Sequence, residues 1–246
     1  MNYSIIIYII GMILKIEAAF MLLPAVTALI YQETCGVAFL ITIVLCLAIG
    51  FPLTRKKPTR KAFYTKEGFV TVALSWIVLS IMGAIPFVIS RSIPNPVDAL
   101  FETVSGFTTT GASILSNVEA LPHCVLMWRS FTHWIGGMGV LVFILSLLPL
   151  TGGYHMNLMK AESPGPSVSK LAPKVQSTAK ILYTIYFVMT VIQIVLLLIG
   201  GMPLFDTICT AFGTAGTGGF GIKNDSMASY STYLQVVITV FMILFG

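Results

Sequence analysis

Two short Thr/Gly segments, each set between long apolar runs, constrain this chain more than any other feature. They are Phe107-Thr108-Thr109-Thr110-Gly111-Ala112-Ser113 and Gly213-Thr214-Ala215-Gly216-Thr217-Gly218-Gly219-Phe220-Gly221. Each follows a short amphipathic stretch with a Phe-acid-Thr start, Phe101-Glu102-Thr103 and Phe205-Asp206-Thr207. At membrane depth, non-helical backbone is tolerated only where it is buried in protein or lines a water-filled path. Thr/Gly backbone suits an ion selectivity filter: carbonyl oxygens replace the ion's hydration shell, and glycine lets the chain turn them inward. One such loop is a weak signal, because membrane turns often carry Gly. Its recurrence, in the same order of flanking spans, is a strong one.

Composition excludes an ordinary cytosolic globule. The chain has 246 residues, 57% hydrophobic and 9% charged, against about a quarter charged in soluble domains. The net charge of +5 does not read as a nucleic-acid footprint, because the charges form no patch interleaved with aromatics. Of the 14 basic residues, Arg55, Lys56, Lys57, Arg60, Lys61, Lys66, Lys160, Lys170, Lys174 and Lys180 lie in two loops between apolar runs. That is the positive-inside pattern, and it puts both loops and the N-terminus in the cytoplasm. The N-terminus is apolar from Ile5 without a basic n-region or cleavage site, so it reads as a retained helix. Cys35, Cys46, Cys124 and Cys209 show no metal-ligand spacing; a disulfide framework or zinc site is not expected, and they read as small buried hydrophobes.

Apolar runs cover residues 4–31, 36–53 and 68–90. Residues 97–107 are too short to cross about 30 Å of hydrocarbon, which takes roughly 20 helical residues. They read as a re-entrant half-helix opened by Pro96 and Asp98. A long run from Pro122 to Leu150 follows, then a polar linker, a further span to Ile199, a second half-helix opened by Gly200-Gly201-Met202-Pro203, and a last run from about Ser229. The expected fold is an all-α polytopic membrane protein. Its plan is two leading transmembrane helices (1–66), a first helix–pore-loop–helix repeat (67–150), a cytosolic linker (151–175) and a second, truncated repeat (176–246). Gly111 and Gly218, 107 positions apart, are taken as equivalent. The second half-helix is expected to be a turn longer, since Phe101 to Gly111 spans ten residues and Phe205 to Gly218 spans 13.

Candidate ion-binding backbone is Thr109, Thr110, Gly111 and Ala112 in the first loop and Gly216, Thr217, Gly218 and Gly219 in the second. Each half-helix enters from outside, so its negative dipole end points to mid-membrane and favours a cation. Glu33, Asp98, Glu102, Glu119, Asp206 and Asp225 fall on the expected outer surface and would concentrate cations there. Arg129 is the one strong charge well inside a span; a buried partner is expected, and Glu102 is the candidate for a structural ion pair. The alternative is snorkelling of Arg129 to the headgroups. Gly136, Gly137 and Gly139 suit close helix packing. His123 and His133 form no metal or catalytic motif, and no span carries a nucleophile–base pair, so an intramembrane enzyme is not expected.

Three segments together carry a resemblance: residues 101–112, residues 128–139 (Trp128-Arg129-Ser130-Phe131-Thr132-His133-Trp134-Ile135-Gly136-Gly137-Met138-Gly139) and residues 211–220. They resemble the Trk/Ktr/HKT superfamily of potassium transporters, and the two leading helices are similar to those of the Trk branch membrane subunit. The resemblance implies four helix–pore–helix repeats around a pseudo-fourfold pore, potassium as the transported ion bound at the filter, no other cofactor, and a key glycine in each filter strand. Those glycines map onto Gly111 and Gly218; Gly at both resembles the potassium-selective pattern. It further implies a homodimer in the cytoplasmic membrane, in contact with lipid and with a cytosolic nucleotide-binding regulatory subunit of the TrkA type. Only two of the four repeats are present, so the chain reads as the N-terminal half of such a protein. A non-conducting scaffold or degenerate fragment is the alternative.

Overall fold

The computed structural model describes residues 3–56, 65–139 and 175–246. The described residues are helical with connecting loops: α1 (Tyr3–Phe20), α2 (Leu22–Ile30), α3 (Gly36–Thr54), α4 (Thr65–Ile89), α5 (Pro96–Phe107), α6 (His123–Met138), α7 (Val175–Ile199), α8 (Leu204–Ala215) and α9 (Thr232–Phe245). Lys57, Arg60 and Lys61 of the first basic loop, residues 140–150 and the linker at 151–174 lie outside the described residues.

Among the described residues, four segments are long and apolar enough to cross a membrane: Tyr3–Ile30, Gly36–Thr54, Lys66–Ile89 and Ala179–Ile199. The first is bent. Pro24 has no N–H for the Phe20 carbonyl, so the helix breaks at Met21, while the Met21 and Ala25 amides still bond to Glu17 O and Met21 O at 2.9 and 3.2 Å. Apolar side chains such as Val37, Leu40, Val44, Ile181, Ile185 and Val188 face outward. An apolar exterior of that extent fits a hydrocarbon surround.

At the centre lies α6, buried on all sides and packed against α2, α5 and α8. Trp128 donates to Gly83 O on α4 at 2.9 Å, and its ring meets Phe39 and Phe107 edge-on. Toward the second repeat, Trp134 donates to Thr190 Oγ1 at 3.2 Å, and Tyr186 Oη donates to Trp134 O at 3.0 Å. The long run from Pro122 does not continue as one helix. It stops at Met138, because Gly139 takes a left-handed φ of 67° and its amide turns back to Gly136 O.

The leading helices are tied to α6 at one end. Glu33 accepts from the His123 and Cys124 amides at 2.7 and 2.9 Å, capping the free N–H groups of α6 with a carboxylate. Tyr31 stacks on His123, with ring centroids 3.9 Å apart. Cys35 and Cys124 are joined by a disulfide across 89 positions. This corrects the sequence expectation of four unpaired thiols. Spacing along the chain cannot reveal a bond made by two loop ends that meet only after folding. Cys46 and Cys209 are free and buried, as expected. Alkylation of the denatured, unreduced protein should therefore tag only Cys46 and Cys209; tagging of all four without reductant would show the bond absent.

Lys15 and Glu17 go separate ways. The Lys15 ammonium sits 5.5 Å from the Phe51 ring centroid on α3, and Glu17 is buried beside Gly83 of α4.

Candidate functional site

Both half-helices form, and each is 12 residues long. The extra turn expected in the second is absent. Asn95 caps α5 by accepting from the Val97 amide at 3.0 Å, with Pro96 at the first helical position and Asp98 in the first turn. At the end of α7, Gly201 takes φ 81° and the Met202 amide bonds to Leu197 O at 3.2 Å. This left-handed stop turns the chain into α8, whose first turn carries Asp206.

The two Thr/Gly loops are the same backbone twice. Thr109 and Thr217 have φ 55° and 56°; Gly111 and Gly219 have φ 74° and 75°. The Thr108 and Gly216 amides bond four residues back, to Val104 O and Phe212 O. The Thr109 and Thr217 amides bond three back, to Gly106 O and Thr214 O. The repeat offset is thus 108, and the counterpart of Gly111 is Gly219. The sequence pairing of Gly111 with Gly218 is one residue short. At an offset of 108 the first-turn acids Asp98 and Asp206 also coincide, whereas Glu102 meets Thr210.

The loops lie against each other. A Cβ on Gly111 would run into Gly218 O, and one on Gly218 would press on Thr109 O. Thr110, Ala112, Thr217 and Gly219 are exposed; Thr109, Gly111 and Gly218 are partly so; Gly216 is buried. Thr108, left out of the candidate set, is exposed beside them. Its hydroxyl lies 2.8 Å from that of Thr110 and donates to Val104 O at 2.7 Å.

The glycines of α6 let it approach both loops. A Cβ on Gly136 would strike Phe107 O; one on Gly137 would come 2.9 Å from Gly216 Cα and 3.1 Å from Ala215 O. These two glycines serve close packing, while Gly139 ends the helix.

Arg129 does not snorkel. Its Nε donates to Glu102 Oε1 at 2.5 Å, and both side chains are buried. Glu102 therefore does not belong to the outer acidic surface. Its carboxylate also accepts from Ser113 Oγ at 2.9 Å and the Ile114 amide at 3.0 Å, where the first loop leaves the centre. Arg129 donates through Nη1 to Gly221 O at 2.7 Å and lies 3.7 Å from the Phe220 centroid, where the second loop leaves. One ion pair thus grips both loops at corresponding points. Beyond it, Asn224 accepts from the Val118 amide at 2.8 Å and donates to Asn117 Oδ1 at 2.9 Å.

The remaining acids are partly committed. Glu33 caps α6, Glu119 accepts from the Asn224 amide at 2.9 Å, and Asp206 accepts from Tyr230 Oη at 2.8 Å. Burial and that bond push the Tyr230 phenol up. Asp225 is exposed and Asp98 partly so.

Sequence reasoning missed His133 and Phe220 as parts of the site. The imidazole of His133 is buried and stacks on Phe220 at 4.0 Å. The available signal was helical spacing: Arg129, His133, Gly136 and Gly137 recur at intervals of three and four, which share a helix face.

The family model described as TrkH, cation transport protein, matches residues 35–246. The chain is 39% identical to the Trk system potassium uptake protein TrkH of Salmonella typhimurium, over all of this chain and 52% of that protein. It is 36% identical to the Trk system potassium uptake protein TrkG of Escherichia coli, over 96% of this chain and 50% of that protein. The crystal structure of the potassium transporter TrkH from Vibrio parahaemolyticus superposes with a TM-score of 0.82 at 32% identity, covering 99% of this chain and 50% of that one. The chain spans about half the length of these relatives. With the family model matching most of its length and the solved structure sharing its helical plan, the chain belongs to the TrkH family of cation transport proteins.

Proposed function

We propose that this chain contributes two strands of a potassium selectivity filter to a Trk-type uptake system in the cytoplasmic membrane. The single observation that carries the reading is the repeated backbone: two loops of matching φ, each at the end of a 12-residue half-helix, with Thr109 O and Gly218 side by side. Backbone carbonyls of Thr109, Thr110, Gly111 and Ala112, and of Gly216, Thr217, Gly218 and Gly219, take the place of water around K+. The half-helix carbonyl ends add negative potential at mid-membrane. The Arg129–Glu102 pair is the clamp that sets the two strands in register. Potassium moves down the gradient set by the membrane potential. No bond in a substrate is made or broken, and no cofactor enters.

Two strands form half a ring, so the conducting unit needs two more. A homodimeric assembly and a nucleotide-binding regulatory subunit of the TrkA type belong to the same proposal. The repeat plan sets 1–66 as leading helices, 67–150 and 176–246 as the two repeats, and 151–175 as the cytosolic linker. The test is growth at low potassium, together with ion flux, in a strain lacking its own uptake systems and supplied with a full-length transporter carrying this sequence. Uptake that the Gly111 and Gly219 loops do not influence would favour a non-conducting scaffold.

The same proposal sets the topology. Basic residues at 55–61 and 160–180 hold those loops in the cytoplasm, and with them the N-terminus. Lys57→Cys and Lys170→Cys should resist a membrane-impermeant thiol reagent in intact cells and react in inverted vesicles. Strong labelling from outside at either position would reverse the orientation.

A further inference from the structure

His133 is fully buried on α6. The Gly213 carbonyl lies beside its ring, and the ring nitrogens find no other hydrogen-bond partner among the described residues. The residue packs closely against the second loop. A Cβ on Gly216 would meet His133 O at 2.6 Å and His133 Cβ at 3.1 Å. A Cβ on Gly218 would run into the imidazole, with Nδ1 at 2.8 Å. Phe220 stacks on the ring at 4.0 Å with 20° between planes. Gly218 and Phe220 of the second loop therefore rest on this one ring, and Gly216 rests on the backbone and Cβ of the same residue. Phe220 is also held by Arg129, one helical turn away, at 3.7 Å.

We propose that His133 is a specificity-determining positioning residue: its flat ring braces the second loop from behind and fixes where the Gly218 carbonyl stands. This rests on the filter reading above. The consequence runs through contact. Gly218 O abuts Gly111, and Gly218 itself abuts Thr109 O, so a shift of Gly218 moves the contact between strands as well as its own carbonyl. A ring is needed because it is thin enough to lie over a glycine and broad enough to stack on Phe220. An alanine leaves the glycine unsupported, and a glutamine offers Phe220 a narrower face on a more flexible stem than a ring does. Ion discrimination by carbonyls depends on where those dipoles sit and how many face the ion, so a displaced carbonyl changes selectivity before it changes fold.

The experiment is the potassium/sodium permeability ratio, taken from the reversal potential of purified full-length transporter carrying this sequence, reconstituted in liposomes or planar bilayers. A reversal potential does not depend on how many molecules fold, so reduced yield alone cannot move it. His133→Ala and His133→Gln should each lower the ratio several-fold. Phe220→Leu should shift it in the same direction, and His133→Ala/Phe220→Leu should shift it no further than the larger single change, since both act on one support. Gly111→Ser is measured in parallel. A changed ratio in Gly111→Ser with unchanged ratios in both His133 variants would overturn the brace and leave the filter reading standing. Unchanged ratios in all of them would overturn both.

Discussion

Ser in place of Gly111 is expected to reduce discrimination of potassium over sodium by roughly tenfold, and Ser in place of Gly219 by a smaller factor. Both glycines have φ near 75°, where an L-residue costs roughly 1–2 kcal/mol. If that strain is relieved by rotating a carbonyl out of the ion path, it is on the scale of one decade in relative affinity, since about 1.4 kcal/mol is tenfold. Gly111 carries a second penalty, because a Cβ there collides with Gly218 O. Among the described residues, a Cβ on Gly219 would meet only Met242 Cε, at 3.8 Å, so its substitution isolates the backbone effect. Gly218→Ser should also disturb the filter, by pressing on the His133 ring and Thr109 O. Gly137→Ala is a poor control, because its Cβ would stand 2.9 Å from Gly216 Cα. Gly201→Ser is a better one: φ is 81°, and an added Cβ has none of the described residues within 4 Å. It takes the same conformational strain at a helix stop and should leave selectivity alone. Reversal potentials under mixed potassium and sodium decide the matter. Wild-type selectivity in both the Gly111 and Gly219 variants, at normal expression, would mean that these loops are not the filter, and the family would keep its fold without this mechanism.

The membrane plan was legible because long apolar runs leave few alternatives: a helix is the only single segment that satisfies its own backbone in lipid. The half-helices were legible for a matching reason, being too short to span and opened by Pro96 and by Pro203. The register between repeats was not. Phe101-Glu102-Thr103 and Phe205-Asp206-Thr207 look alike, but Phe101 is the sixth residue of α5 and Phe205 the second of α8. Aligning them makes α8 appear longer and misplaces the glycine by one. The acids that do correspond, Asp98 and Asp206, share a position because each faces free amides in a first helical turn. The burial of Glu102 was readable through Arg129, which needs a partner inside its span and finds it there; its hold on Ser113 and the Ile114 amide was not. The bond between Cys35 and Cys124 joins residues 89 positions apart, a distance over which local pattern carries no information.

Removing the Arg129 side chain should damage folding more than any other single change considered. Arg129→Ala leaves the Glu102 carboxylate buried without its cation, and truncating one partner of a buried pair costs roughly 3–5 kcal/mol. It also frees Gly221 O and removes the guanidinium from the Phe220 face, so the exit of the second loop loses its hold while Glu102 still tethers Ser113 and Ile114 in the first. Arg129→Lys should recover little. A planar guanidinium reaches Glu102 and Gly221 O at once through separate nitrogens, which a single ammonium on a flexible stem does not reproduce. The decisive variant is Arg129→Met combined with Glu102→Gln. It removes both charges, keeps an oxygen able to accept from Ser113 and Ile114, and so leaves no charge buried without a partner. Its melting temperature and folded yield, read by size-exclusion chromatography in detergent, should lie between those of wild type and Arg129→Ala. If the double variant is no more stable than Arg129→Ala, the charge pair is not what the arginine serves, and its bond to Gly221 O and its contact with Phe220 must account for the loss.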